Sequence, residues 1–378
     1  MHGPARPTGR GCHVTRILLV DPSPRGGIPV YTMLVARALR AAGGSPEILA
    51  SKQLDVHSEE IRVTKQLPTG RWSRPERAGP GFYLHRVSVW CVSALVILVR
   101  VWVSRPDVVH FQFAINRRFD AFLIRLLKRF APVVWTAHDV LPFETVEGDS
   151  RRFASIYRAV DRVIVHTEPA AEEVRALAGV MPVTIPHPVR DDVLDTSRED
   201  ARWRLGLPAE GRILAALGFI RRYKGYELLA DVWEHLGEAA PTLLVMGEPL
   251  GDDVLPTLER LRRLPTVDLR PGYASDVELQ LAAIACNALV APYSTASDSG
   301  VVHLARALRV PVLASDVPQL AASVTSFRAG AVLERTVEHW SAAVTGQLPD
   351  PPPPPPGLLA TGEAHLRAYD SVLRQSRP

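Results

Sequence analysis

The chain alternates short apolar segments with segments of helical periodicity, and it does so in two successive runs. The first run begins with the apolar segment Arg16–Val20, a glycine-containing loop and a helical pattern over residues 30–42. It ends at Ile185-Pro-His-Pro188, where two prolines interrupt regular structure, and the second run then repeats the alternation. Strands that alternate with helices favour parallel sheets covered by helices on both faces. The sequence therefore predicts an α/β protein with two doubly wound, Rossmann-like domains that face a central cleft.

The domain boundaries follow from the chain length and from this break. The 378 residues exceed what a single core usually holds, which is about 250–300 residues. We predict an N-terminal domain over residues 1–188, a C-terminal domain over residues 189–348 and a linker near residues 186–200. Residues 52–81, rich in Pro, Gly and charge, are expected to form a long loop or mobile flap. The predicted strands are residues 16–20, 46–50, 107–111, 132–136 and 161–166 in the first domain, and 212–220, 241–247, 267–270, 288–291 and 311–314 in the second.

A run of six prolines, Pro351–Pro356, precedes the last predicted helix, Leu358–Gln375. Consecutive prolines adopt an extended polyproline conformation, which makes the run a stiff spacer. We expect residues 349–378 to form this spacer and a terminal helix that packs back on the N-terminal domain. The alternative is that the run is a ligand for a proline-binding partner.

The charge is divided unevenly between the two halves. Residues 1–190 contain 26 Lys and Arg against 16 Asp and Glu, whereas the remainder contains 18 against 24, so the halves carry about +10 and −6. This excess favours an anionic partner for the first half, such as a lipid phosphate or a membrane surface, with a coding bias toward arginine as the alternative. Nucleic acid is disfavoured as a partner, because aromatic residues are not interleaved with the basic ones.

The cysteines and the N-terminus bear on the compartment. Cys12, Cys91 and Cys286 lie far apart and lack metal-ligand spacing, which is typical of a reducing compartment and indicates neither a disulfide framework nor a zinc site. Residues 1–13 lack the charged-then-apolar pattern of a signal segment. We therefore expect a cytoplasmic protein, with the inner face of the membrane as a further location.

One apolar segment, Val87–Val103, leaves two interpretations open. Its continuous apolar run before Arg100 is about 13 residues, which is short of the roughly 20 needed to cross a bilayer. We expect a helix that is either buried against the sheet or inserted shallowly into a membrane surface. In the second case Arg86, Arg100 and Arg105 would assist the insertion.

The turn Leu217–Gly225 places cations between a predicted strand and a predicted helix. Its backbone amides, Arg221 and Lys224 would point to one place above the sheet edge, where the helix dipole and side-chain charge add. This arrangement suits a diphosphate. A solvated basic turn is the alternative interpretation.

Three further loops are expected at the same cleft. Gly26 and Gly27 follow the first strand and would either let a ligand approach the backbone closely or form a plain tight turn. His138 and Asp139 directly follow another strand, where a polar pair is more often functional than structural. Ser299–Val301 begins a helix whose free amides would face the cleft as an anion or sugar-hydroxyl site.

Together these segments resemble the retaining glycosyltransferases of family 4, which have the GT-B fold of two facing Rossmann-like domains. They occur in the family's order over nearly the whole chain, and their combination is specific although each segment is weak alone. The matching segments are Gly26–Gly27, Asp107–His110, Thr136–Asp139, Asp161–His166, Ile185–Pro188, Gly218–Gly225, Gly272–Asp276 and Tyr293–Pro318.

The resemblance implies roles for individual residues. Arg221 and Lys224 would hold the diphosphate of a nucleotide-sugar and stabilise the leaving group, because charge develops on that phosphate as the glycosidic bond breaks. His138 would lie beside the donor sugar as the third catalytic residue. Enzymes of this fold generally use no metal, so we expect neither a metal nor a cofactor beyond the nucleotide-sugar substrate. The predicted donor-binding residues are Gly26, Gly27, Asp298, Ser299, Gly300 and Val301, and the acceptor-side residues are Asp139, Arg117 and Arg118.

Two positions depart from the family pattern. Phe219 stands where the family usually has a basic residue, so Arg221 is assigned that role and Arg222 is the alternative. The paired glutamates of the family, the second of which normally binds the ribose, are missing, and Tyr293–Ala314 contains only Asp298 as a carboxylate. Nucleotide recognition would therefore differ, or donor binding would be weaker.

The sequence as a whole predicts a hexosyltransferase that acts with retention on a nucleotide-sugar donor and an anionic or lipid-linked glycan acceptor, in polysaccharide or glycolipid biosynthesis. A catalytically silent relative that binds a partner or a glycan is one alternative, and a nucleotide-sugar epimerase of the same fold is another. A dehydrogenase is disfavoured, because no Gly-x-Gly-x-x-Gly follows the first strand.

Overall fold

The computed structural model of the protein describes residues 14–54, 58–68, 80–142, 146–296 and 299–375. The first half contains a seven-stranded sheet and five helices. Its strands are β1 (Arg16–Asp21), β2 (Ser45–Ser51), β3 (Arg62–Leu67), β4 (Val108–Phe111), β5 (Val133–Thr136), β6 (Arg162–Val165) and β7 (Val183–Thr184), and its helices are α1 (Gly27–Ala41), α2 (Pro80–Ser104), α3 (Asp120–Leu127), α4 (Asp149–Ala159) and α5 (Glu168–Ala178).

The described residues of the second half form a six-stranded sheet, seven helices and three short 3₁₀ turns. A last helix, α13 (Leu358–Gln375), follows the proline run. The strands are β8 (Ile213–Leu217), β9 (Thr242–Gly247), β10 (Val267–Pro271), β11 (Ala288–Ala291), β12 (Val312–Ser315) and β13 (Gly330–Leu333). The helices are α6 (Arg198–Leu205), α7 (Tyr226–Leu236), α8 (Leu255–Arg262), α9 (Asp276–Ala285), α10 (Gly300–Leu308), α11 (Pro318–Ser326) and α12 (Val337–Thr345), and the 3₁₀ turns are Arg222–Lys224, Gly237–Ala239 and Asp252–Val254.

Both sheets are parallel and doubly wound. The first has the strand order β3-β2-β1-β4-β5-β6-β7 and the second the order β10-β9-β8-β11-β12-β13. Successive strands are therefore added toward one edge of the sheet up to β3 and toward the other edge from β4 onward, and the same reversal of strand order occurs between β8 and β11. Ligands of such sheets bind beyond the carboxyl ends of the strands at this switch point. The prediction of two Rossmann-like α/β domains is confirmed.

The alternation of side chains along each strand divides the apolar residues between two layers of helices. In β1, Leu18 and Val20 pack with α2, α3, α4 and α5, whereas Ile17 and Leu19 pack with α1 and α13. In the second sheet, β8 divides its residues in the same way between α9 and α10 on one face and α7 and α12 on the other. Strands buried on both faces are continuously apolar, which is why they were predictable.

The last helix, α13, lies against α1 of the first domain. Gly362 contacts the backbone so closely that a β-carbon there would lie 1.9 Å from the carbonyl oxygen of Ala38. The Tyr369 hydroxyl lies 2.8 Å from Nδ1 of His110, whose Nε2 lies 2.8 Å from the hydroxyl of Thr136. Burial holds the pKa of His110 well below its usual range, so this histidine is neutral and part of the core.

Several elements differ from the sequence predictions. Residues 52–81 were expected to be a loop or flap, but Arg62–Leu67 forms β3, while residues 55–57 and 69–79 lie outside the described residues. Among the described residues this strand pairs with β2 alone, and Leu67 is its one buried residue, so its sequence is polar and lacks the apolar signal of a central strand. The edge strands β7 and β13 and the helix α6, which overlaps the predicted linker, were likewise not predicted.

Candidate active site

The turn after β8 is held in place by the loop after β11. Gly225 adopts a φ of +74°, and a β-carbon there would lie 1.9 Å from the carbonyl oxygen of Pro292. The backbone amide of Ser294 donates to the carbonyl of Tyr223 at 2.8 Å, and its hydroxyl donates to the same oxygen at 3.1 Å. Only glycine allows both the left-handed conformation and this close approach. The loops at the switch point of the second sheet are therefore one fixed unit.

Three cations of this turn have different environments. The ammonium of Lys224 lies 5.5 Å from the ring centroid of Tyr293, and Lys224 and Arg221 are both half-buried. Arg222 instead is exposed, and its guanidinium lies 4.0 Å from a carboxylate oxygen of Glu227 on α7. Of the two arginines that the sequence left as alternatives, Arg221 is the one in the more enclosed position.

The helix α10 follows the loop after β11 that contacts this turn. Ser299 is buried and is the residue before the helix, and the amides of Val302 and His303 donate to its carbonyl. The amides of Gly300 and Val301 belong to the first turn, where backbone donors have no partner within the helix. These donors and the helix dipole favour an anion. Asp298, which the sequence assigns to this group, lies outside the described residues.

The glycine loop of the first domain is organised by a buried carboxylate that the sequence analysis missed. Asp21, at the end of β1, accepts hydrogen bonds at 2.8 Å from the amide of Ser23 and from the hydroxyl of Thr32 on α1. Burial raises the pKa of Asp21 to about 6. Gly26 follows with a φ of +95° and precedes α1, which starts at Gly27. Asp21 therefore joins the loop to the start of the helix.

The two domains meet directly at this loop. Two guanidinium nitrogens of Arg25 lie 3.0 Å from the carboxylate oxygens of Glu248, which follows β9. The same guanidinium lies 5.9 Å from the ring centroid of Phe219 and 5.8 Å from that of Tyr273. A β-carbon at Gly26 would lie 3.1 Å from the Phe219 ring. The carboxyl ends of β1, β8, β9 and β10 are thus joined across the cleft, and Arg25 is a site residue that sequence reasoning overlooked.

His138 belongs to an aromatic cluster that crosses from one domain to the other. Its ring is edge-on to Tyr31 at 4.5 Å and 5.4 Å from His166. His187, in the segment between the domains, lies 4.9 Å from Tyr31 and stacks on His303 of α10 at 3.8 Å with an angle of 6°. The cluster therefore connects the loop after β5 with the helix that begins at Ser299.

The predicted acceptor-side residues are in two places. Asp139 adjoins His138, and its carbonyl accepts from the hydroxyl of Tyr157 at 3.4 Å. Arg117 is paired with the buried Asp149 at 2.6 Å, and the backbone amide of the exposed Arg118 donates to the side chain of Asn116. The contacts described for these arginines hold the loop after β4 and do not reach the cleft loops in the described part of the chain.

A cavity of about 210 Å³ lies between the domains, next to the loop that carries His138. The carboxylate of Glu173 accepts from the amide of Gln319 across it at 2.8 Å, and burial raises the pKa of Glu173. No group of three or more His, Cys, Asp or Glu could hold a metal ion within the described ranges. The cavity is lined by Val140, Leu141, Pro142, Glu173, Thr295, Ala296 and Gln319.

Comparisons with known proteins agree with this geometry. The family described as Glycosyltransferase Family 4 matches residues 25–193. A GDP-mannose:glycolipid 4-beta-D-mannosyltransferase from Xanthomonas campestris is 27% identical over 263 residues, which are 66% of this chain and 72% of that protein.

Two solved structures share the fold over nearly the full length. Sucrose-phosphate synthase from Thermosynechococcus elongatus has a TM-score of 0.64 and 17% identity, with 95% of this chain and 97% of that chain covered. HepE from Anabaena in complex with UDP and glucose has a TM-score of 0.63 and 14% identity, with 96% and 98% covered. The chain therefore matches the family 4 glycosyltransferases over residues 25–193 and has the GT-B fold over nearly its full length.

Proposed function

We propose that the protein transfers a hexose, with retention, from a nucleotide-sugar to an anionic or lipid-linked glycan acceptor. The observation that carries the proposal is the fixed unit formed by the turn after β8 and the loop after β11, which holds Lys224 beside Tyr293 in the loop that leads to α10. Cations and helix amides that converge at a switch point suit a diphosphate. HepE, which shares the fold, was solved with UDP and glucose.

In this proposal each part of the site has one task. Lys224, Arg221 and the amides of Gly300 and Val301 bind the diphosphate and neutralise the charge that grows on it as the sugar leaves. The Gly26 loop closes over the donor from the other domain. His138 borders the sugar, and its ring orientation is set by Tyr31.

The acceptor class is inferred from the first domain and from a relative. The first half of the chain is basic, which favours an anionic acceptor. The Xanthomonas relative acts on a glycolipid, as its name states. We place the acceptor at the side of the cleft that carries His138 and Asp139, where the cavity with Glu173 lies. Assembly of a polysaccharide or a glycolipid is the resulting role.

A mass-spectrometric screen of purified protein against a panel of nucleotide-sugars, including GDP-mannose and UDP-glucose, tests this function. We expect one donor to bind and to be consumed when a lipid extract supplies acceptors. Proton NMR of the product then gives the anomeric configuration, which is expected to equal that of the donor. Failure of every donor to bind would refute the proposal, and binding followed by isomerisation without acceptor would indicate an epimerase.

A further inference from the structure

The helix α2 is apolar around its whole circumference but is buried along only one stripe. Its most apolar stretch has a mean hydropathy of 2.1, yet only 22% of that stretch is buried. Ala94, Ile97 and Val101 form the buried stripe, whereas Leu95 and Trp102 on the outward face are 63% and 66% exposed. In the described part of the chain no residue covers the outward face, although a helix of this composition is normally enclosed on all sides.

The neighbouring helix α3 enlarges this apolar surface. Trp90 of α2 contacts the ring of Phe119 at 5.2 Å and donates its indole N–H to Asp120 at 3.1 Å, which joins the two helices. Phe122 of α3 and Phe130 just after it are also exposed. Exposed apolar area on this scale marks an interaction surface. We define the α2–α3 face by its exposed large apolar residues Leu84, Val92, Leu95, Val99, Trp102, Val103, Phe122 and Phe130.

The charge around the α2–α3 face is strongly positive. Residues 80–131 contain eight Lys and Arg but only two carboxylates, and both carboxylates are engaged within the fold. Three of the cations, Arg100, Arg117 and Lys128, form ion pairs with carboxylates outside this range, so the excess positive charge rests on the other five. Asp120 is buried and accepts from Trp90 and from backbone amides, and Asp107 accepts from the amide of Arg16. A surface that is both apolar and basic complements an anionic lipid headgroup layer above an acyl core.

Basic residues lie at both ends of the α2–α3 face: Arg86, Arg117 and Arg118 belong to the end where α2 starts, and Arg105, Lys128 and Arg129 belong to the end where α2 and α3 finish. Burial, followed by the charges of Arg117 and Arg118, lowers the pKa of Arg86. Arg117 and Arg118 follow the carboxyl end of β4, which is the edge of the sheet that faces the cleft. The end of the α2–α3 face at which α2 starts therefore lies at the cleft edge of the sheet.

Although α2 is long and apolar enough to cross a bilayer, its contacts hold it on the sheet. Ile97 and Val101 are part of the core, and Arg100 forms an ion pair with Glu47 of β2. A spanning orientation would remove these side chains from the core and leave Glu47 without this partner. The helix, about 37 Å long, must therefore lie parallel to any membrane it meets.

We propose that the α2–α3 face docks the first domain onto an anionic lipid bilayer, with α2 lying in the headgroup layer. A second copy of this chain is a poorer occupant, because a symmetric pairing would place one basic face against another. Docking along α2 brings the cleft edge of the sheet, where α2 starts, close to the headgroups. That last consequence rests on the proposed lipid-linked acceptor, whereas membrane binding itself does not.

Vesicle flotation of the full chain tests the proposal. The probes are vesicles of phosphatidylcholine alone and of equimolar phosphatidylcholine and phosphatidylglycerol. We expect the wild-type protein to bind the anionic vesicles, with an affinity that falls as salt is added. The double variant Leu95→Gln/Trp102→Gln is expected to bind these vesicles at least about tenfold more weakly than the wild type. Trp203→Gln is the matched control, since Trp203 is 81% exposed but lies on α6 of the second domain.

The controls separate the possible outcomes. Circular dichroism is expected to show the same helix content in the double variant, because both substituted side chains are exposed. Three results would overturn the proposal: no binding to anionic vesicles, equal binding of the double variant, or a dimer that the double variant converts to monomer. Because flotation requires no turnover, its result is independent of whether the proposed sugar transfer is correct.

Discussion

The close contact between the turn after β8 and the loop after β11 can be tested with two glycines of the same turn. Gly218 and Gly225 both have positive φ, +86° and +74°. They differ in the space around them. A β-carbon at Gly225 would lie 1.9 Å from the carbonyl oxygen of Pro292, whereas one at Gly218 would lie 3.5 Å from the ammonium of Lys224, which is ordinary contact. Gly218→Ala is therefore a matched control for Gly225→Ala.

The expected costs follow from this difference. An alanine in the left-handed region costs roughly 1–2 kcal/mol, and this applies to both variants. Gly225→Ala adds the cost of forcing apart two backbone segments, which is roughly 1–3 kcal/mol for an overpacked interior. We expect Gly218→Ala to lower the free energy of unfolding by about 1–2 kcal/mol and Gly225→Ala by about 2–5 kcal/mol.

Urea unfolding followed by circular dichroism measures these values, and titration with UDP and GDP measures the effect on the site. Gly225→Ala is also expected to weaken diphosphate binding, because it moves the loop that contains Pro292 away from the turn that carries Lys224. The reasoning is refuted if the two variants lose the same stability. Equal nucleotide affinity in Gly225→Ala and wild type would show that the contact does not support the site.

Three further predictions concern groups that hold the cleft and the terminal helix. Glu248→Gln breaks the half-exposed ion pair with Arg25 and is expected to raise the KM for the donor severalfold. The unfolding midpoint should change little, since exposed ion pairs contribute about 1 kcal/mol or less to the free energy of unfolding. An unchanged KM would count against the bridge across the cleft. Burial raises the pKa of Asp21 to about 6, so its contribution to stability is present below about pH 4 and is lost as the pH rises through 6. Urea unfolding below about pH 4 and above about pH 6 should show a difference of about 3 kcal/mol from this group, and Asp21→Asn should abolish that difference; an unaltered pH dependence in the variant would contradict this. Tyr369→Phe leaves Nδ1 of the buried His110 without its hydroxyl partner and is expected to cost about 1–3 kcal/mol in the same assay; a loss near zero would mean that this bond does not fasten α13.

The sequence predicted well those strands and helices in which the buried residues form a continuous run or recur at regular spacing. The segment Ile213–Leu217 is fully apolar and is a central strand, and the helical spacing from Tyr226 matches α7. The edge strand Arg62–Leu67 was missed, because Leu67 is its one buried residue and both Arg62 and Lys65 carry charge. Hydrophobic periodicity reports burial, and an edge strand has little of it.

The candidate site was predictable where it consists of neighbouring residues and not where it depends on contacts between distant segments. The turn that carries Lys224 is a local motif, so strand, turn and helix could be recognised from neighbouring residues. The pair of Arg25 and Glu248 joins residues 223 positions apart, and neither residue is unusual in its own segment. His187 and His303 likewise meet only after two domains have folded and docked. Contacts between domains leave no local pattern, although a basic residue beside Gly26 was a signal that could have pointed to Arg25.

The role of Lys224 in binding the donor diphosphate is tested most directly by comparing Lys224→Ala with Arg222→Ala. Both variants remove one cation from the same turn, but Arg222 is exposed and paired with Glu227. Turnover of the donor found in the nucleotide-sugar screen is expected to fall about 100-fold or more in Lys224→Ala and to change little in Arg222→Ala. Retained turnover in Lys224→Ala, or an equal loss in both variants, would contradict the account.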